Sequence, residues 1–256
     1  MTARTALVTG VTAGFGLAIA RQLHGLGWRV IGTGRRQERL VSLGQELGDG
    51  FDWLSFDVQD RQACVDAVEA LKRRHGVPDL LVNNAGLARG LEPAYQCDLD
   101  DWEQMVETNI KGLITLTRLI SPDMVARQAG TIINISSIAA NYAYPGANVY
   151  GATKAFVSQF SLNLRADLHG SGVRVTSIEP GLAQTEFSVV RFGGDLERAR
   201  AAYANTDYLT GEDVAEAVCW VAEQPRHVNI NRLELMPVSQ SFGPFPIHRS
   251  GGDEAS

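Results

Sequence analysis

Seven short apolar runs, each separated from the next by a stretch long enough for a helix, constrain this chain more than any other feature. They lie at Thr5 to Thr9, Arg29 to Thr33, Asp52 to Ser55, Leu80 to Val82, Thr131 to Ile135, Arg174 to Ile178 and Arg232 to Leu235. Runs this short and this rich in Val, Ile and Leu read as strands buried on both faces. Between Asp60 and Arg73, residues Ala63, Val65, Ala67, Val68 and Leu71 give a broad apolar face at helical spacing. Strand and helix in alternation imply a parallel sheet covered by helices on both sides. The punctuation agrees. Gly25 and Gly27 end a helix before the second strand, and Thr210 with Asp213 resembles a capping box opening a helix that runs to about Glu223.

A chain of 256 residues can bury the core of such a domain without disulfides. The net charge of -6 argues against a nucleic-acid surface. Cys64, Cys97 and Cys219 are odd in number, far apart and without CxxC spacing, so neither a disulfide framework nor a zinc site is expected. Nor do the five histidines show ligand spacing, and no metal is expected. The first strand begins too early to leave room for a signal peptide, and no apolar run approaches membrane-spanning length, so the reading is cytoplasmic.

Two segments depart from the alternation. Residues 185–208, polar and containing Gly193 and Gly194, are too long for an ordinary strand-to-helix connection and suggest a substrate lid. Residues 1–236 are read as the catalytic domain, including that lid. From Pro237 onward, with Pro244, Pro246 and the run Ser250 to Ser256, no period holds, and an irregular arm (237–256) ending in disorder is expected.

The first strand runs into Gly10-Val-Thr12-Ala-Gly14-Phe15-Gly16 at the start of the first helix. Glycines there let the backbone turn tightly and approach a pyrophosphate, whose charge the free N–H groups of the helix start would stabilise. The spacing is GxxxGxG, not GxGxxG, and a plain tight turn is the competing reading. At the end of the second strand, where an NAD enzyme would carry an acidic residue for the ribose diol, stand Arg35 and Arg36. Guanidinium groups suit a phosphate monoester, so the pair selects the 2′-phosphate of NADP(H). A solvated pair is the alternative, but basic residues fit poorly at a helix N-terminus unless an anion is bound. Asp57, beside Val58 at the end of the third strand, could cap a helix or face an adenine amino group.

Further along come Asn83-Asn84-Ala85-Gly86 after the fourth strand, Ser136-Ser137 after the fifth, Tyr150-Gly-Ala-Thr-Lys154, then Pro180-Gly181 and Thr185 beyond the sixth. With the first glycine motif, these resemble the short-chain dehydrogenases/reductases over about Thr5 to Met236. The resemblance implies a single-domain α/β, Rossmann-type doubly wound parallel sheet of about seven strands. It is closer still to bacterial NADP-dependent 3-hydroxy acid dehydrogenases, which act on serine and L-allo-threonine and reduce malonic semialdehyde; Gly32 to Leu40, Asn148 to Phe156, Ile178 to Leu182, Thr185 to Phe187 and His227 to Asn231 carry it. Two departures stand out. Ile135-Ser136 precedes Ser137 where those enzymes have a glycine before the serine, and the loop after Gly181 is slightly shorter.

Tyr150 and Lys154 are four apart at a helix start, hence on one face. A phenol titrates near pH 10, and a neighbouring ammonium with an oxidised nicotinamide would favour phenolate, making Tyr150 the catalytic acid/base. Ser137 is placed to bond the substrate oxygen. By resemblance, Asn109 holds a water in the proton relay, Lys154 bonds the nicotinamide ribose, Asn83 to Gly86 line the cofactor and Pro180 to Thr185 meet the carboxamide. A hydroxy-acid carboxylate needs a cation near the lid, and Arg191 is the candidate. The family also implies a homotetramer. Two other readings are a carbonyl reductase whose substrates lack a carboxylate, and a silent NADP(H)-binding regulator, which would have no need of the relay.

Overall fold

The computed structural model describes residues 4–242 apart from 202 and 205. All seven expected strands form, as β1 (Thr5–Thr9), β2 (Arg29–Gly34), β3 (Phe51–Ser55), β4 (Leu80–Asn83), β5 (Gly130–Ile135), β6 (Val173–Pro180) and β7 (Arg232–Leu235). They pair in parallel in the order β3-β2-β1-β4-β5-β6-β7. Side chains alternate across this sheet and build two apolar layers. Ala6, Val8, Val30, Val82 and Ile133 face one way, against Ile19 and Leu23 of α1 (Gly14–Gly25), Leu40 of α2 (Gln37–Leu47) and Val218 of α9 (Gly211–Ala222). Leu7, Ile31, Leu81, Ile132 and Val175 face the other, against Leu71 of α3 (Arg61–His75) and Leu116 and Ile120 of α5 (Leu113–Ala126). Two-sided burial explains why the runs read as continuously apolar.

Strand order reverses between β1 and β4, the place where an open parallel sheet leaves a crevice beyond its carboxyl ends. The helix after β4 consists of α4 (Leu99–Val106) and α5 joined by a π-helical turn, Glu107–Gly112. From β5 the chain passes through Ser136 and Ser137 into α6 (Asn148–Asp167). Asp60 caps α3 and Thr210 with Asp213 closes the capping box of α9.

The segment 185–208 holds two short helices, α7 (Glu186–Arg191) and α8 (Leu196–Ala201). Its base is pinned by Gln184 N–H to Leu209 O at 2.9 Å and Leu209 N–H to Leu182 O at 2.9 Å. Residues 237–242 have neither helix nor strand period, but they are not loose: Gln240 Oε1 accepts from Leu182 N at 2.7 Å and Phe242 packs on Tyr142. Pro244, Pro246 and the terminal run, where disorder is expected, lie outside the described residues. Among the described residues no helix is long and apolar enough to cross a membrane.

Candidate active site

The crevice at the switch point is a cleft of about 360 Å³ running from Arg35 and Arg36 at one end to Ser137, Tyr150 and Lys154 at the other. Its floor is the glycine turn. Gly10 and Gly14 have φ of 75° and 55°, left-handed values that favour glycine. A Cβ on Gly16 would drive into the Gly10 carbonyl and the Asn84 amide, so Gly16 acts by close packing beneath the turn and does not line the cleft. Thr9 and Asn84 fix the turn to β4. Thr9 Oγ1 accepts from the N–H groups of Asn84 and Ala85 at 2.9 Å each, and Asn84 Nδ2 donates to Thr9 O at 2.7 Å.

At the first end, Arg36 donates from Nε and Nη2 to Thr12 Oγ1 at 3.1 and 2.9 Å, and Arg35 reaches Asp57 at 3.3 Å. Asp57 and Val58 line the wall there, and the cap of α3 is Asp60, which leaves the Asp57 carboxylate with Arg35 and the Gln59 N–H. Arg39, three residues beyond Arg36, joins the group by donating to Thr12 O at 3.1 Å and to Glu186. Sequence reasoning passed over Arg39 and Glu186. Helical spacing from Arg36 was a usable signal for Arg39, whereas Glu186 arrives from 147 residues away.

Ala85, Gly86, Pro180, Gly181 and Thr185 line the middle, with Phe15 beside them. Of the expected run Asn83 to Gly86, Asn84, Ala85 and Gly86 line the cleft, whereas the Asn83 side chain is buried in the sheet layer, donating to Thr117 Oγ1 at 3.0 Å and Asn134 Oδ1 at 2.8 Å. Side-chain alternation along β4 decides this, since Asn83 is the last residue of the strand and Asn84 the first beyond it.

At the opposite end, Ser137 Oγ donates to Pro180 O at 3.4 Å and accepts from Ala139 N at 3.1 Å, with Tyr150 lining the cleft beside it. Lys154 lies on the same side of α6, with Nζ donating to Ile135 O at 2.9 Å and 5.9 Å from the Tyr150 ring. Asn109 sits in the π turn and its amide is spent on fixing neighbours. Nδ2 donates to Leu87 O at 2.9 Å and Thr153 Oγ1 at 3.0 Å, while Oδ1 accepts from Leu87 N at 2.9 Å. A Cβ on Gly86 would meet both Asn109 Oδ1 and Lys154 Nζ within about 3.4 Å, so glycine there keeps the space between them open.

Burial pushes the Tyr150 phenol up to about 12, against the lowering effects of Ser137 and Arg191, and burial lowers the Lys154 ammonium to about 8. Desolvation is the largest influence on both groups.

Arg191, at the end of α7, donates to Gly90 O at 3.0 Å and the Tyr144 hydroxyl at 3.1 Å. Its guanidinium stands 5.4 Å from the Tyr150 ring, and its Nη2 is buried with no hydrogen-bond partner among the described residues. Tyr144, six residues before Tyr150, carried no motif that could have marked it.

Comparison with known proteins agrees with this geometry. The family model described as short chain dehydrogenase matches residues 4–192. This chain is a short-chain dehydrogenase. It is 57% identical over 250 residues to a probable NADP-dependent dehydrogenase of Haemophilus influenzae, covering 97% of this chain and 99% of the relative. It is 53% identical to serine 3-dehydrogenase of Agrobacterium fabrum over 96% of this chain and 98% of that one. The NADP-dependent 3-hydroxy acid dehydrogenase of Salmonella typhi is 57% identical over 95% and 99%. Among solved structures, the closed form of serine dehydrogenase complexed with NADP+ superposes with a TM-score of 0.95 at 55% identity, covering 96% of this dehydrogenase and all of that chain (100%). Serine dehydrogenase from Escherichia coli gives 0.82 at 52% identity over 93% and 100%.

Proposed function

We propose that this short-chain dehydrogenase transfers a hydride between NADP(H) and a small 3-hydroxy acid such as L-serine, L-allo-threonine or 3-hydroxypropionate, and in reverse reduces malonic semialdehyde. The observation that carries the substrate class is Arg191: a guanidinium over Tyr150 with a buried nitrogen lacking a partner. A buried unpaired donor is costly, and a carboxylate is its natural complement. The similarity to serine and 3-hydroxy acid dehydrogenases supports the same reading.

The cleft suits NADP(H) on its own geometry. The left-handed glycines and Gly16 keep side chains away from the place a pyrophosphate would take, and Arg35 and Arg36 offer cations to a 2′-phosphate. Asn84 to Gly86, Lys154 and Pro180 to Thr185 border the nicotinamide half. When bound, the cofactor supplies the hydride acceptor or donor and, oxidised, a positive charge near the phenol. Ser137 then hydrogen-bonds the substrate oxygen, and Tyr150 takes or returns the hydroxyl proton. With its pKa raised, Tyr150 is protonated at neutral pH and ready as the acid of reduction. Lys154 places a cation beside the ribose end of the relay, and Asn109 holds the π turn and Leu87 against α6. The family resemblance implies a homotetramer, and on α6 the exposed Phe156, stacked on Phe160, is an apolar side chain that such an assembly would cover. The working location is cytoplasmic.

Arg191→Ala tests the substrate class. KM for L-serine is expected to rise about 10- to 100-fold, the worth of a charged hydrogen bond, with KM for an uncharged alcohol of the same length little changed. Equal effects on both would remove the carboxylate and favour the neutral carbonyl reductase.

A further inference from the structure

The six-residue helix α7 carries charge at both ends. At its start, Glu186 accepts from Arg39 Nη1 at 2.7 and 2.8 Å and from Arg36 Nη1 at 3.0 Å. At its end, Arg191 lies over Tyr150, and between the two Phe187 packs on the same ring at 5.6 Å between centroids. One rigid turn and a half, about 9 Å long, therefore spans from the arginines at the adenosine end to the catalytic tyrosine.

We infer that Glu186 is a positioning residue for selectivity: it latches the lid helix to Arg36 and Arg39, so that recognition of a 2′-phosphate at one end of the cleft is registered at Arg191 at the other. The inference rests on the NADP(H) reading proposed above. A lone exposed ion pair would carry little weight. Here one carboxylate takes two guanidinium groups, and both are also held by Thr12 of the glycine turn, Arg36 on its hydroxyl and Arg39 on its carbonyl. Lid, α2 and glycine turn thus form one network. Desolvation pushes the Glu186 carboxyl up, but the hydrogen bonds from Arg39 and Arg36 outweigh it and hold the group below its ordinary range, ionised at neutral pH. Coupling of this kind is reciprocal: a lid held closed aligns the arginines for phosphate, and phosphate-bound arginines hold the lid.

Charge alone argues the other way. Removing a carboxylate beside a phosphate site should tighten NADPH binding, whereas removing a latch should loosen it. The full-length Glu186→Gln and Glu186→Ala variants decide between them by stopped-flow fluorescence of bound NADPH, with NADH in parallel. NADPH is expected to leave roughly five- to twenty-fold faster than from the wild type, the range of a modest coupling, and the preference for NADPH over NADH to narrow. KM for L-serine should rise with it, and trypsin should cut the cofactor-free variants faster after Arg191 or Arg198 while thermal unfolding stays unchanged. Slower release of NADPH would make Glu186 a competitor for the arginines, and unchanged release an ordinary surface pair; either overturns the inference. A wild-type protein that holds NADH as well as NADPH would instead overturn the cofactor reading on which it rests.

Discussion

The two walls of the cleft are built differently. On the sheet side the reacting groups stand on elements packed against the core, Ser137 just beyond β5 and Tyr150 with Lys154 on α6: Ser136 N–H donates to Ile178 O at 2.7 Å, Lys154 Nζ to Ile135 O at 2.9 Å, and Asn84 is fixed by Thr9. Behind them lie two apolar layers. On the lid side, residues 185–208 are held by a short bridge at their base, a few side-chain bonds such as Tyr203 Oη to Ala183 O at 3.0 Å, and the exposed pairs of Glu186. Chemistry therefore sits on the wall packed against the core, and Arg191, the cation proposed for the substrate carboxylate, reaches in from the proposed lid. Proton transfer demands sub-ångström placement, whereas a lid must open for every turnover.

Changes on the rigid wall should be large and changes on the lid small or selective. Tyr150→Phe is expected to lower kcat by about 10³-fold or more in the absorbance assay while NADPH binding by fluorescence persists, because only the proton donor is lost. Lys154→Met should abolish turnover yet raise stability at pH 7 by roughly 2 to 3 kcal/mol in urea unfolding. The sign follows from burial: the folded pKa, lowered to about 8 from 10.5, means that charging Lys154 opposes folding. The penalty is complete below about pH 8 and released between 8 and 10.5, so the stability advantage of the variant over the wild type should shrink across that window; parallel curves would contradict the assignment. Arg36→Ser is expected to weaken NADPH about 10- to 100-fold in fluorescence titration and NADH hardly at all. Smallest is Tyr203→Phe, which loses hydrogen bonds to Ala183 and Ser188. It should cost about 1 kcal/mol, seen as faster hydrogen exchange in 185–208 and not as a lower global stability.

The same division governs what the sequence makes legible. Strands, the capping box and the glycine turn rest on local rules, namely apolar runs, a Thr-x-x-Asp spacing and left-handed φ, so they can be read directly. The catalytic end was readable because Ser137, Tyr150 and Lys154 sit on consecutive elements of a resembled motif. One residue of strand alternation separates the side chain of Asn83, in the core, from that of Asn84, in the cleft, and a motif read as a run does not show that division. Glu186 and Tyr144 matter only through partners distant in the chain, and no local pattern marks such pairings, whereas Arg39 follows Arg36 at helical spacing. The π turn around Asn109 is of the same kind: a helical period hides one extra residue, and only packing against Leu87 and Thr153 reveals what it holds. Desolvation of Tyr150 and Lys154 likewise depends on what surrounds them.

The central claim is tested most directly by absorbance at 340 nm with L-serine as substrate, NADP+ and NAD+ in parallel, and Tyr150→Phe as control. Turnover with NADP+ far above that with NAD+, lost in the Tyr150→Phe protein, is the predicted result. Equal rates with both cofactors, or turnover that survives Tyr150→Phe, would contradict the account.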